Sequence, residues 1–125
     1  MYLIDTNIFL EILLKQDKSE SCKLFLKENV NFLHVSDFTL HSIGVILFKQ
    51  NEEDLFLTFI ADILPKVRLI SLPKSKYQEV LKNKKHFGLD FDDSYQYSVC
   101  AHFGLKLTTM DQDFKKVKDI GIQFL

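Results

Sequence analysis

The chain has 125 residues, a length suited to one domain with a buried core. It is 46% hydrophobic and 26% charged, with four Gly and two Pro, which leaves little material for disordered linkers. Its formal net charge of −1 excludes a uniformly basic nucleic-acid binder, so any polyanion must be met by local patches or by a bound cation.

Tyr2–Ile4 reads as a short buried strand, and Thr6–Leu14 as a helix with Ile8, Phe9, Ile12 and Leu13 at helical spacing. Ser19–Glu28 follows as a second helix and Phe32–Val35 as a second strand. Ser36 suits a helix cap and Asp37 the first turn of a helix reaching about Lys49. That helix is apolar nearly all round, which predicts burial on more than one face. Gly44 in its middle predicts close approach of another backbone. Glu52–Leu64 reads as a helix stopped by Pro65, Val67–Ser71 as a strand, and Pro73 as the start of a helix to about Lys85. Asp90 caps a helix that Gly104 ends after Phe103. Leu105–Thr108 is a strand, Gln112–Val117 a short helix and Ile122–Leu125 a last strand.

Strands alternating with helices predict an α/β fold with a mainly parallel sheet covered on both faces. No repeat or linker divides it, so residues 1–125 read as a single domain. Cys22 and Cys100 have no ligand-like spacing and read as free thiols of a reducing compartment. No signal-peptide pattern and no membrane-length apolar run is present, so the expected location is cytoplasmic.

In such sheets the site lies beyond the carboxyl ends of the strands. Three places deliver acids there. Asp5 follows Ile4 directly, Asp90, Asp92 and Asp93 cluster at a helix start, and Asp111 and Asp113 follow the strand that contains Thr108. Each taken alone could be a helix cap. Three acids within four residues exceed what capping requires, and a divalent cation would relieve their repulsion. Oxygen donors of this type suit Mg²⁺ or Mn²⁺. Serine nucleophile elbows, phosphate-cradling Gly loops and CxxC pairs are absent. An aspartyl phosphatase would need an acid two residues after Asp5, where Asn7 stands.

The stretches Leu3-Ile4-Asp5-Thr6-Asn7, Ser36-Asp37-Phe38-Thr39, Asp92-Asp93-Ser94-Tyr95-Gln96 and Thr109-Met110-Asp111-Gln112-Asp113-Phe114 resemble those of the PIN-domain family. The resemblance spans the whole chain. It implies a three-layer αβα sandwich and a Mg²⁺- or Mn²⁺-dependent endoribonuclease, of the kind often found as the toxin of a toxin–antitoxin pair. It implies RNA as substrate, an antitoxin partner and a homodimer. By position, Asp5, Asp93 and Asp111 match the family's catalytic metal-binding acids and Asp113 a further, more variable one. Thr109 matches the hydroxyl residue before the last motif acid, and Lys115 and Lys116 lie where they could hold the RNA backbone. Family members usually carry a Glu three residues after the Thr of the second motif, whereas Ser42 stands at that spacing after Thr39. One carboxylate fewer favours a single-metal site. It also opens an alternative: a catalytically weakened PIN-like module that binds RNA or a protein partner.

Overall fold

The computed structural model describes residues 1–125. Five strands form one sheet: β1 (Tyr2–Ile4), β2 (Leu33–Ser36), β3 (Arg68–Ile70), β4 (Lys106–Thr109) and β5 (Ile122–Phe124), in the order β3-β2-β1-β4-β5. All pairings are parallel, with Ile4 opposite Thr108, Leu3 opposite His34 and Thr109 opposite Phe124. β1 therefore lies at the centre, between the second and fourth strands in sequence.

Successive strand residues point to opposite faces, and β1 divides the core accordingly. Leu3 packs with Tyr95, Val99, Cys100, Leu107 and Val80 under α5 (Tyr77–Phe87) and α6 (Phe91–Phe103). Ile4 packs on the other face with Ile8, Phe9, Cys22, Ile43, Leu47 and Phe59 under α1 (Thr6–Leu13), α2 (Ser19–Glu28), α3 (Asp37–Lys49) and α4 (Glu53–Thr58). The result is the three-layer sandwich expected. Both thiols are free and buried, and no helix is long and apolar enough to cross a membrane.

Four local expectations are corrected. The helix expected over Glu52–Leu64 is α-helical only to Thr58, then widens into a π turn over Phe59–Ile63 and tightens over Leu64–Lys66. Pro65 cannot continue an α-helical hydrogen-bond ladder. The widened turn carries Phe59 into the core, edge-on to Phe9 at 5.2 Å between ring centroids. The helix expected from Pro73 starts at Tyr77 behind a 3₁₀ turn over Lys74–Lys76, and runs to Phe87, where Gly88 adopts φ +67°. Finally, α3 buries Thr39, Ile43 and Leu47, while Val45 and Phe48 stay 54% and 57% exposed. Gly44 is approached by the Phe56 ring, 3.4 Å from where a Cβ would stand, and not by a backbone.

A candidate metal centre at the carboxyl edge of the sheet

The Asp5 N–H donates to the Thr108 carbonyl at 2.9 Å, which extends the β1–β4 ladder one residue past β1. The chain then turns into α1 with Asp5 as its extended cap residue. Ladder and helix together aim this carboxylate at the carboxyl edge beside β4. It is buried, and four donors hold it. The Thr6 N–H at 2.8 Å and Gln96 Nε2 at 3.2 Å reach Oδ1. The Thr109 hydroxyl at 2.7 Å and Asn7 Nδ2 at 3.4 Å reach Oδ2. Burial pushes the carboxyl pKa up, while the Thr109, Gln96 and Thr6 hydrogen bonds oppose the rise.

The Thr109 hydroxyl also accepts from the Asp111 N–H at 2.9 Å, and the Asp111 carboxylate accepts from the Asp113 N–H at 2.9 Å. This relay fixes the turn after β4 and points both acids into the cleft. From the other side, Asp90 caps α6 by accepting from the Asp93 N–H at 3.0 Å, so Asp93 sits in the rigid first turn. Carboxylate oxygens of Asp93, Asp111 and Asp113 then lie within 4.8 Å of one another. Asp5 stands beside this triad. Burial, followed by the charges of Asp111, Asp90, Asp5 and Asp113, pushes the Asp93 carboxyl up to about 7. Four acids around one carboxyl are an excess of negative charge without an internal counter-charge, and all the donors are hard oxygens. The residues present therefore fit a divalent cation of the Mg²⁺ or Mn²⁺ type.

Of the acids expected from sequence, Asp93, Asp111 and Asp113 come together, while Asp5 lies next to them outside that group, held by its own four donors. Thr109 is fully buried and serves Asp5 and the turn, so it has no surface to offer a substrate. Lys115 and Lys116 are exposed on the 3₁₀ turn over Gln112–Lys116. The Lys116 ammonium lies 3.6 Å from where a Cβ on Gly88 would stand, over the loop leading into α6. Ser42 lies one helical turn beyond Thr39 on α3.

Gln96 is the residue that sequence reading missed. Its Nε2 donates to Asp5 and to the Thr39 hydroxyl at 2.8 Å, and its Oε1 accepts from the Ser36 hydroxyl at 2.7 Å. It ties α6 to β1 and to the start of α3 with almost no exposure. The available signal was its position three after Asp93, on the same helix face, as a long amide amid residues otherwise buried.

The sequence matches the PIN domain family over residues 2–120. Solved structures share the fold at low identity. A toxin–antitoxin complex from Klebsiella pneumoniae aligns at TM-score 0.77 and 20% identity, over 98% of this chain and 95% of that one. VapBC2 from Rickettsia felis, bound to a DNA fragment from its promoter, aligns at TM-score 0.82 and 16% identity, over 99% and 98%. The sarcin-ricin loop cleaving toxin VapC20 of Mycobacterium tuberculosis aligns at TM-score 0.79 and 13% identity, over 92% and 93%. No curated protein matches at comparable significance. With a family match across nearly its whole length and acids gathered at the expected edge of the sheet, this chain belongs to the PIN-domain family.

Proposed function

We propose that the protein is a metal-dependent endoribonuclease and the toxin half of a toxin–antitoxin pair. The observation that carries this reading is the Asp93, Asp111 and Asp113 triad with Asp5 beside it. Asp93, Asp111 and Asp113 would hold a Mg²⁺ or Mn²⁺ ion, with Asp5 completing the charge around it. Such an ion supplies charge neutralisation and Lewis acidity for phosphodiester hydrolysis.

The chain's own residues do the rest. Asp5 is oriented before any substrate arrives, because Thr6, Gln96, Thr109 and Asn7 together restrict its carboxylate. Asn7 also accepts from the Met110 N–H at 3.3 Å, which joins the α1 start to the acid-bearing turn. Asp93, pushed up to about 7, holds a proton part of the time near neutral pH when no cation is bound. Lys115 and Lys116 offer exposed ammonium groups to an RNA backbone beside the triad. Support for RNA and for an antitoxin comes from relatives of the same fold: one is a toxin that cleaves the sarcin-ricin loop, and another is a toxin–antitoxin complex.

Two surfaces suit the partners of this reading. A hollow of about 320 Å³ is lined by Ile12, Leu26, Val30 and Leu33 and rimmed by three lysines, Lys23, Lys27 and Lys66, against one acid, Asp62. Its charge suits an antitoxin segment carrying acids beside apolar anchors. The groove between α3 and α4, lined by Leu40, Val45, Phe48, Phe56 and Ile60, suits a second copy of the chain.

The decisive experiment pairs calorimetry with cleavage. Metal-free protein titrated with Mn²⁺ is expected to bind one ion, and RNA cleavage is expected to require it. Asp5→Asn is expected to abolish cleavage with the fold retained. Cleavage at the wild-type rate by that variant, with the same metal requirement, refutes the assignment. Ser42 favours the second reading, a module that binds RNA or a protein partner without turnover, and absence of Mn²⁺ binding at millimolar concentration would favour it.

A further inference from the structure

Beyond the ends of β2 and β3, on the edge of the sheet that also carries the acids, lies a small aromatic cleft. Asp37, Phe38, His41, Tyr77, Phe91 and Tyr95 line a cavity of about 160 Å³. Tyr95 forms its floor with almost no exposure, and its hydroxyl donates to Asp37 Oδ1 at 2.6 Å and accepts from the Leu72 N–H at 3.0 Å. Phe91 lies nearly parallel to Tyr95, at 18° and 6.2 Å between centroids, and remains 56% exposed. Tyr77 flanks the same ring at 5.8 Å and is 42% exposed. Large aromatic rings left in water around a packed aromatic floor call for a partner with a flat face.

We propose that this cleft is a nucleobase subsite that receives a base of single-stranded RNA beside the scissile phosphate. The proposal rests on the nuclease reading of the acidic site, and three features on different elements support it. First, the rings provide stacking surface, the main sequence-tolerant attraction for an unpaired base. Second, Asp37 has one oxygen committed to the Phe38 N–H and the Tyr95 hydroxyl, while Oδ2 carries no hydrogen bond within the chain. That oxygen can accept from an exocyclic amino group, which adenine, cytosine and guanine carry and uracil lacks, so those bases are preferred where their amino edge, rather than a ring N–H, faces Asp37. Third, Lys74 and Lys76 project from the exposed 3₁₀ turn directly before Tyr77 and can meet the phosphates of a strand whose base enters the cleft.

Position relates the cleft to the acids. β2 and β3 stand two and three strands from β4, so the cleft lies roughly 10–14 Å along the edge from Asp111 and Asp113 at strand spacing. α6 spans the two: Asp93 faces Asp111 and Asp113, while Phe91 and Tyr95, one turn apart, share the face turned toward the cleft. A strand laid along this edge places a base in the cleft while a neighbouring phosphate reaches the triad.

Binding can be read without cleavage. A fluorescein-labelled single-stranded oligoribonucleotide of mixed sequence, in EDTA, is titrated with wild type, Phe91→Ala, Tyr77→Ala and the double variant. Loss of stacking is expected to weaken binding five-fold or more for each single variant and further for the double. Because the chain contains no Trp, Phe91→Trp introduces a lone reporter, expected to be quenched by the oligoribonucleotide and unaffected by inorganic polyphosphate. Asp37→Asn is expected to reduce the preference for amino-bearing bases over oligouridylate. Wild-type affinity in both aromatic variants, or equal quenching by polyphosphate, overturns the subsite. Loss of affinity on Lys74→Ala and Lys76→Ala alone reduces it to backbone attraction and overturns it too. A Phe91→Arg variant that turns a dimer into a monomer shows that a second copy covers the cleft, which likewise overturns the subsite. Stacking and quenching retained in a protein that never cleaves RNA would instead remove the nuclease reading and leave the base site standing.

Discussion

Replacing Asp93 by Asn should make the metal-free protein more stable. The carboxyl titrates at about 7 in the folded chain against 3.8 for an ordinary Asp. Above pH 7 the unfolded chain ionises this group freely, while the folded chain must carry the charge next to Asp111, Asp90, Asp5 and Asp113. The gap corresponds to about 4 kcal/mol at full strength. Asp113 is exposed and opens the cleft to solvent, so screening reduces the gain to roughly 2 kcal/mol. For a chain of this length that is a rise in Tm of roughly 8 °C. The sign follows from linkage. A carboxyl whose folded pKa is raised lends stability fully below the unfolded pKa, loses it between about pH 4 and 7, and loses nothing further above that. Wild type in EDTA should therefore melt at falling temperatures from pH 5 to pH 7.5, whereas Asp93→Asn should follow a flatter curve and cross above it. Adding Mn²⁺ should raise the wild-type Tm most at the higher pH and should raise the variant's far less. Calorimetric melts at a series of pH values, with and without Mn²⁺, read all of this. An Asp93→Asn protein destabilised equally at pH 5 and pH 8 would refute the reasoning.

Thr109→Val keeps the shape but removes a hydroxyl that joins Asp5 to the Asp111 N–H, and urea melts should show a loss of about 1–3 kcal/mol. Ser42→Glu places a carboxylate one turn from Thr39 and should tighten Mn²⁺ binding by calorimetry, while an unchanged affinity would show that α3 does not face the ion. Phe48→Glu, at a position more than half exposed in the apolar α3–α4 groove, should shift a dimer toward monomer in light scattering with the melting curve retained. Cys22 and Cys100 are buried thiols whose pKa burial raises, so a thiol reagent should label neither until the chain unfolds.

Much of the fold was legible because local signals and tertiary demands agree. Asp90 and Gly104 bracket α6 as cap and left-handed stop, and Ser36 caps α3 through the Thr39 N–H as its residue type suggests. Misreadings fell where tertiary packing decides. The stretch Glu52–Leu64 looks like a uniform helix, but Pro65 behind it and the demand for Phe59 in the core impose a wider turn. Val45 and Phe48 look like core residues, and nothing in their local pattern separates a packed face from an exposed one. The acids could be found because they sit at strand and helix ends. Their unequal standing could not, since only the folded chain shows Asp5 held by four donors while Asp93, Asp111 and Asp113 crowd the cleft. Gln96 was hidden because its partners, Ser36, Thr39 and Asp5, come from elements far apart in sequence.

The central position of β1 bears on synthesis. Its neighbours are β2, about thirty residues later, and β4, about a hundred residues later. A ribosome that has released only the first part of the chain exposes Asp5 without the Thr108 carbonyl or the Thr109 hydroxyl that anchor it, and without Asp111 or Asp113. Parallel pairing across so long a separation is slow to form. Truncated chains that lack residues 106–113 therefore lack Asp111, Asp113 and the Thr109 anchor of Asp5, and the acidic cluster is complete only once that segment has docked beside the first strand.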